Sequence, residues 1–288
     1  MANTVVWNKH DYVARMRGRI NSPTAWKDVL DVKYSNNRTI VNSSMTTEPT
    51  VVTGTRGTAY AYKDFTLTAD TLTISTYKNI PILIDEADRY QQSYVDQMKI
   101  AEFQGKKINE FIEGQFLAAH ASWSDFGAGD LAGSSSGDTT QITVSATNID
   151  DIMRAVKRKL YANNLVDFAV EKGVCIVWRA TDFELLEGYV QANGFTEADI
   201  ALKNGIPVQK GFYYGGITHY LSNSHTANHI FAGVKKMGEI GILSGTYGQA
   251  KFIEDPGNVS GLGIVSRVDY GFNWPTYNVQ AYQDVNVA

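Results

Sequence analysis

The chain has 288 residues, long enough for one elaborate domain or two intimate ones around a sizeable core. Its hydrophobic share of 43% and charged share of only 19% exclude a disordered chain and point to extensive buried or covered surface. A formal charge of −4, with Lys106/Lys107 and Lys235/Lys236 as isolated basic pairs, argues against sequence-specific binding of nucleic acid.

Met1-Ala2-Asn3-Thr4 is not a basic segment leading into an apolar one, and no apolar run is long enough to span a bilayer, so a cytosolic protein without a membrane partner is expected. The single cysteine, Cys175, cannot form an internal disulfide, which suits a reducing compartment. Glycosylation triplets at Asn37, Asn42 and Asn258 are read as chance matches.

Over residues 1 to 58 short apolar pieces such as Val29-Leu30 sit among Asn, Ser, Thr and Gly without a sustained period. An extended arm is predicted, ordered by lying on the rest of the subunit or on neighbours. Residues 59 to 84 then alternate. Phe65-Thr66-Leu67-Thr68 and Leu72-Thr73-Ile74-Ser75 predict two strands, with Ala69-Asp70-Thr71 turning between them. An isolated hairpin is marginal in water, so Tyr60, Tyr62, Phe65, Leu67, Leu72 and Ile74 need a partner surface. They are the candidate contacts between subunits; packing within their own subunit is the alternative.

Asp85 is a good helix N-cap, and Glu86 and Asp88 place negative charge in the first turn. Ala87, Tyr90, Tyr94, Met98, Ala101, Gly105, Ile108, Ile112 and Phe116 follow at spacings of three and four, one stripe without proline before Ala121. At about 1.5 Å per residue this is a rod on the order of 50 Å, a spine. Gly105 and Gly114 are its candidate bending points, with close backbone packing as the other reading.

Between 123 and 147, Gly127, Gly129, Gly133, Gly137 and Ser134-Ser135-Ser136 predict a flexible connecting loop. An α/β lobe follows. A helix opens at Asn148-Ile149-Asp150-Asp151, Val174 to Trp178 reads as a buried strand, and Thr181-Asp182-Phe183-Glu184 reads as a capping box with Asn193-Gly194 as the stop. Short strands at Ile206-Pro207-Val208 and His229 to Ala232 and long β segments at Leu262 to Phe272 and Thr276 to Tyr282 close the chain.

No catalytic, cofactor or metal site is assigned. Gly133-Ser134-Ser135-Ser136-Gly137 fits the letter of a nucleophile elbow but lacks the strand and helix that motif needs. His219, His225 and His229 have no acidic or cysteine ligand among them and are read as solvated loop residues. Asp85, Glu86 and Asp88 are explained by the helix dipole, Gly238, Gly241, Gly245 and Gly248 are turn glycines, and Cys175 is a buried inert thiol.

Three stretches carry a resemblance: Tyr77 to Arg89 with Gln91 to Asp96, Ile230 to Lys236 through Ile242, and Ser266 to Phe272. With the order of parts, they resemble the major capsid proteins of tailed bacteriophages, whose α+β Johnson fold, the Hong Kong phage capsid fold, is shared with herpesvirus capsid floors and bacterial encapsulins. The resemblance implies an N-terminal arm over 1–50, an E-loop hairpin over 51–84, the spine helix of a P-domain over 85–122, a connecting loop over 123–147, an A-domain over 148–245, and C-terminal strands over 246–288 returning to the P-domain. It also implies a non-enzymatic shell subunit that forms hexamers and pentamers around double-stranded DNA in a virion assembled in the bacterial cytoplasm. Implied partners are a portal protein, a decoration protein and a separate scaffolding protein, the last with no N-terminal cleavage expected. An encapsulin-like compartment and, in a different class, a hydrolase using the His219 to His229 region are the rival readings.

Overall fold

The computed structural model describes residues 9–45, 53–57, 59, 67–91, 94–133, 137–193, 212–274 and 280–288. The segment expected to be an extended arm contains two helices. Helix α1 (Lys9–Ile20) buries Tyr12, Met16 and Ile20, spaced four apart, and the short α2 (Ala25–Val29) buries Trp26. The stripe escapes a periodicity scan because Arg15, Arg17 and Arg19 interleave it.

Strand β1 (Asp31–Ser35) pairs in parallel with β10 (Glu239–Leu243), from the far end of the chain. β2 (Thr39–Met45) and β3 (Leu67–Thr73) form a two-stranded antiparallel ribbon with Asn42 opposite Asp70. Ala69-Asp70-Thr71 is therefore the middle of one strand, and the partner strand comes from the expected arm.

β4 (Thr76–Asp85) leads into α3 (Glu86–Gln91), where the Ala87 N–H donates to Asp85 Oδ1 at 2.9 Å, a side-chain cap. α4 (Tyr94–Ala118) is the spine and runs into a 3-10 turn, Ala119–Ser122. Its inner face buries Ala101, Gln104, Ile108, Ile112 and Phe116. α4 is helical through both Gly105 and Gly114. A Cβ on Gly105 would lie 2.7 Å from the Met16 carbonyl oxygen of α1, so this glycine lets two helix backbones approach; at Gly114 the nearest atom would be Ser224 Cβ at 3.8 Å.

The glycine-rich stretch is built rather than loose at its described residues. β5 (Ser124–Phe126) is followed by α5 (Ala128–Leu131), and Asp138 accepts from the Gly129 N–H at 2.6 Å and the Thr140 N–H at 3.0 Å. A Cβ on Gly127 would meet the Asp138 and Thr140 carbonyls at 2.5 Å, which is why glycine stands there. Lys159 of α6 (Ile149–Ala162) reaches in to pair with Asp130 at 3.1 Å, both fully buried. Breaking one partner of such a pair leaves a buried charge uncompensated.

α7 (Val166–Lys172), β6 (Val174–Trp178) and α8 (Ala180–Ala192) follow; every residue of β6 is buried. The expected Thr181 capping box does not form: the N-cap is Arg179, whose guanidinium pairs with Asp182 at 2.6 Å across the first turn. The expected strand at 206–208 lies outside the described residues. β7 (Phe212–Tyr214), β8 (Ile217–Leu221), β9 (His229–Val234), β11 (Ala250–Glu254), β12 (Gly261–Asn273) and β13 (Tyr282–Asn286) complete the strands.

Two sheets result. One has the order β1-β10-β12-β11, with β4 along the other edge of β12; the second runs β5-β13-β9-β6-β8-β7. β10 thus leaves the predicted A-domain segment for the first sheet, while β13 returns to the second sheet rather than the first. A continuous apolar core joins both sheets to α1 and α4.

The contrast between the two spine glycines makes a paired prediction. Alanine is favoured over glycine in a helix by about 1 kcal/mol, so Gly114→Ala raises the urea midpoint of the monomeric chain. Gly105→Ala lowers it, because the Met16 carbonyl must move. Equal rises in both variants would contradict the α1–α4 packing.

Candidate assembly surfaces

The ribbon is anchored at its root. Leu72 and Ile74 are buried and sit over Gly241 of β10, where a Cβ would lie 3.0 Å from Leu72 Cδ2 and 3.1 Å from Ile74 Cγ1. These two expected intersubunit residues face their own subunit's core instead, because glycine in β10 makes the room. Leu67 pairs with Met45 at the outer end of β3. Tyr60, Tyr62 and Phe65 lie outside the described residues.

Polar groups clamp the same root. Lys33 Nζ pairs with Glu239 Oε1 at 2.5 Å and donates to Asn42 Oδ1 at 2.9 Å, while Asn42 Nδ2 donates to Glu239 Oε2 at 2.6 Å. Asn273 Nδ2 donates to Asp70 Oδ2 at 2.8 Å, and buried Asp269 receives Arg267 and, at 3.5 Å, Arg38. The ribbon is thus fixed where it leaves the sheet, and Val41, within this root, is exposed.

β4 offers a second surface. It pairs only with β12 among the described residues, so its other edge presents unpaired backbone groups. Pro81 stands within it, as proline can on an edge strand, and Tyr77 and Leu83 are more than half exposed. On α4, Val95 and Phe103 are exposed, as is Tyr213 of edge strand β7. Scattered apolar residues are ordinary on a monomer, but these lie on free edges and on the spine.

The residues weighed for chemistry fall in separate places. Among the described residues around Gly133 and Gly137 there is no strand-to-helix elbow. Burial pushes the Cys175 thiol up to about 12, leaving no thiolate to react. The expected solvated histidines are not solvated. His219 is fully buried in β8, accepts from Trp178 Nε1–H at 2.9 Å and lies 3.1 Å from the Tyr214 carbonyl; burial pulls its pKa down to about 4. His225 is half-buried and pulled down to about 4 for the same reason.

His229 belongs to a cluster absent from the sequence reading. It opens β9, and register places it diagonal to Asp284 of β13 on one face, since His229 opposes Asn286 and Phe231 opposes Asp284. His229 Nδ1 is 2.9 Å from Asp284 Oδ2, and His120 Nδ1, from the turn ending the spine, is 3.3 Å from the same oxygen. The two imidazoles stack with centroids 3.7 Å apart. Asp284 is buried and each histidine is about one-fifth exposed. No local signal could have found three residues so far apart in the chain.

No protein-family model matches this chain, and no curated protein matches its sequence. Solved structures match it along nearly its whole length. The capsid of Ralstonia phage GP4 superposes with a TM-score of 0.64 at 8% identity, covering 93% of this chain and 92% of that one. The capsid of an empty GTA particle gives 0.62 at 11% identity, covering 93% and 97%, and a virus-like particle from Pyrococcus furiosus gives 0.57 at 8%, covering 98% and 100%. The chain has the Johnson fold. At these identities the likeness is one of architecture.

Within this Johnson-fold chain the buried histidine sets a pH dependence. Unfolded His219 takes up its proton near pH 6.5, whereas the folded side chain resists it down to about 4. Stability is therefore fully present above pH 6.5 and is lost as pH falls through that window. From pH 7 to pH 5 the unassembled subunit is expected to lose about 2 kcal/mol through this group, read from urea midpoints, and His219→Gln shrinks the loss. An unchanged loss in the variant would contradict the assignment.

Proposed function

We propose that the chain is the major capsid protein of a tailed phage, a non-enzymatic subunit that self-assembles as hexamers and pentamers into an icosahedral head around double-stranded DNA. The observation that carries this reading is the Johnson fold over nearly the whole chain, shared with the capsids of Ralstonia phage GP4 and the empty GTA particle. The ribbon β2–β3 serves as the E-loop, α4 with the β12 sheet as the P-domain, and the β6–β9 sheet with α6 to α8 as the A-domain.

The free edges suit that role. Ring assembly needs heterologous contacts that close on themselves, and the same chain must accept five-fold and six-fold neighbours. A ribbon clamped only at its root can lie on an adjacent subunit while its base keeps a fixed register with β10. The β4 edge can accept a strand from another copy. A net charge of −4 fits a wall that encloses DNA without reading its sequence. A scaffolding protein, a portal and a decoration protein are the further partners of this reading, the virion is its place, and the host cytoplasm is where it assembles.

A shell without a genome is the second reading, favoured by the likeness to the virus-like particle from Pyrococcus furiosus. Electron microscopy of the protein, expressed alone and with its neighbouring genes, separates the outcomes. Closed icosahedral shells or rings of five and six are expected, with nuclease-protected DNA in heads made beside the packaging genes. Shells that never protect DNA would favour the second reading. A monodisperse monomer or dimer under both conditions would contradict both.

A further inference from the structure

The cluster at the end of the spine has the donors and the spacing of a metal centre. His120, His229 and Asp284 each offer one ligand atom, and these atoms all lie within 4.8 Å of one another. Ligand atoms about 2.0–2.2 Å from a tetrahedral zinc ion lie about 3.4 Å apart. The nitrogen-to-oxygen separations of 2.9 Å and 3.3 Å fall just short of that value, so the side chains must spread slightly to admit an ion.

Electrostatics points the same way. A buried carboxylate needs a compensating positive charge, and among the described residues neither lysine nor arginine pairs with Asp284. Both imidazoles turn Nδ1 toward Asp284, His229 at 2.9 Å from each carboxylate oxygen and His120 at 3.3 Å from Oδ2; their rings stack 3.7 Å apart and 21° from parallel, so a shared ion requires them to tilt until both in-plane lone pairs converge. Two imidazoles and one carboxylate suit zinc and its late first-row neighbours; calcium and magnesium prefer an all-oxygen shell.

We propose that His120, His229 and Asp284 bind one divalent transition ion of the zinc class, which staples the end of the spine helix to strands β9 and β13. Each ring then carries its proton on Nε2 and gives its Nδ1 lone pair to the ion, and the partly exposed histidines leave a fourth position for water. The three ligands come from elements that meet only in the folded chain, so binding stabilises the fold rather than the unfolded state. The site belongs to the single subunit and stands whether or not the chain forms a phage head.

Tag-free protein stripped with EDTA and titrated with Co2+ or Zn2+ tests this. One ion per chain is expected, with a visible Co2+ absorption band of a tetrahedral or five-coordinate site, and a melting temperature raised by roughly 5 °C at a hundredfold excess of Zn2+ over its Kd. His120→Ala lies in a partly exposed turn, and Asp284→Asn keeps the side-chain shape; both lose the band and the shift while far-UV circular dichroism stays unchanged. Wild-type protein without a band or shift would overturn the proposal, as would a band that survives in His120→Ala. A variant that fails to fold leaves the wild-type titration to decide.

Discussion

The side chain of Gln104 holds four elements in one arrangement. From the middle of the spine its Oε1 accepts from the Tyr12 hydroxyl of α1 at 2.9 Å and from the Ser266 hydroxyl of β12 at 2.8 Å, while its Nε2 donates to the Ile80 carbonyl of β4 at 3.0 Å. Ile80 and Ser266 oppose each other in the β4–β12 ladder, so the amide reads one register position of that sheet. Tyr12, Gln104 and Ser266 are buried, and each of their polar groups left without its partner would cost about 1–3 kcal/mol. A sliding helix or a slipped strand would orphan several of these groups at once, which makes the arrangement specific as well as stable. One residue further along, Gly105 lets α1 come close enough for Tyr12 to reach.

That constraint explains how a rigid body can carry compliant edges. β12 is covered on one side by β4 and on the other by β10 and β11, and its Asp269 gathers the arginines at the ribbon root. Among the described residues, the margins left open are peripheral: the outer edge of β4, the outer edge of β7, and the outward face of the spine. A subunit with a fixed centre and unsatisfied margins gains by association, because neighbours can cover apolar side chains and backbone groups that the single chain leaves open.

Two helices were legible because their signals are local: Asp85 caps α3, with Glu86 and Asp88 following, and the inner face of α4 repeats every three or four residues. β6 was legible because all five of its residues are apolar and all are buried. The misread parts depend on distant partners. β1 becomes a strand by pairing with β10, and the turn-like Ala69-Asp70-Thr71 is held extended by Asn42 and Asn273. The glycines at 127 and 129 looked like slack, yet they serve close backbone contacts with Asp138 and Thr140. His120, His229 and Asp284 meet only through the β9–β13 register and the end of the spine, so the candidate metal centre left no trace in the sequence.

The proposed assembly requires a settled centre with edges that neighbours complete, and hydrogen exchange measured on shells and on subunits released from them tests that requirement directly. Amides of β4 and of the β2–β3 ribbon should gain protection on assembly, while those of Val174 to Trp178 stay equally slow in both states. Unchanged exchange along β4 and the ribbon, or a gain concentrated in β6, would contradict it.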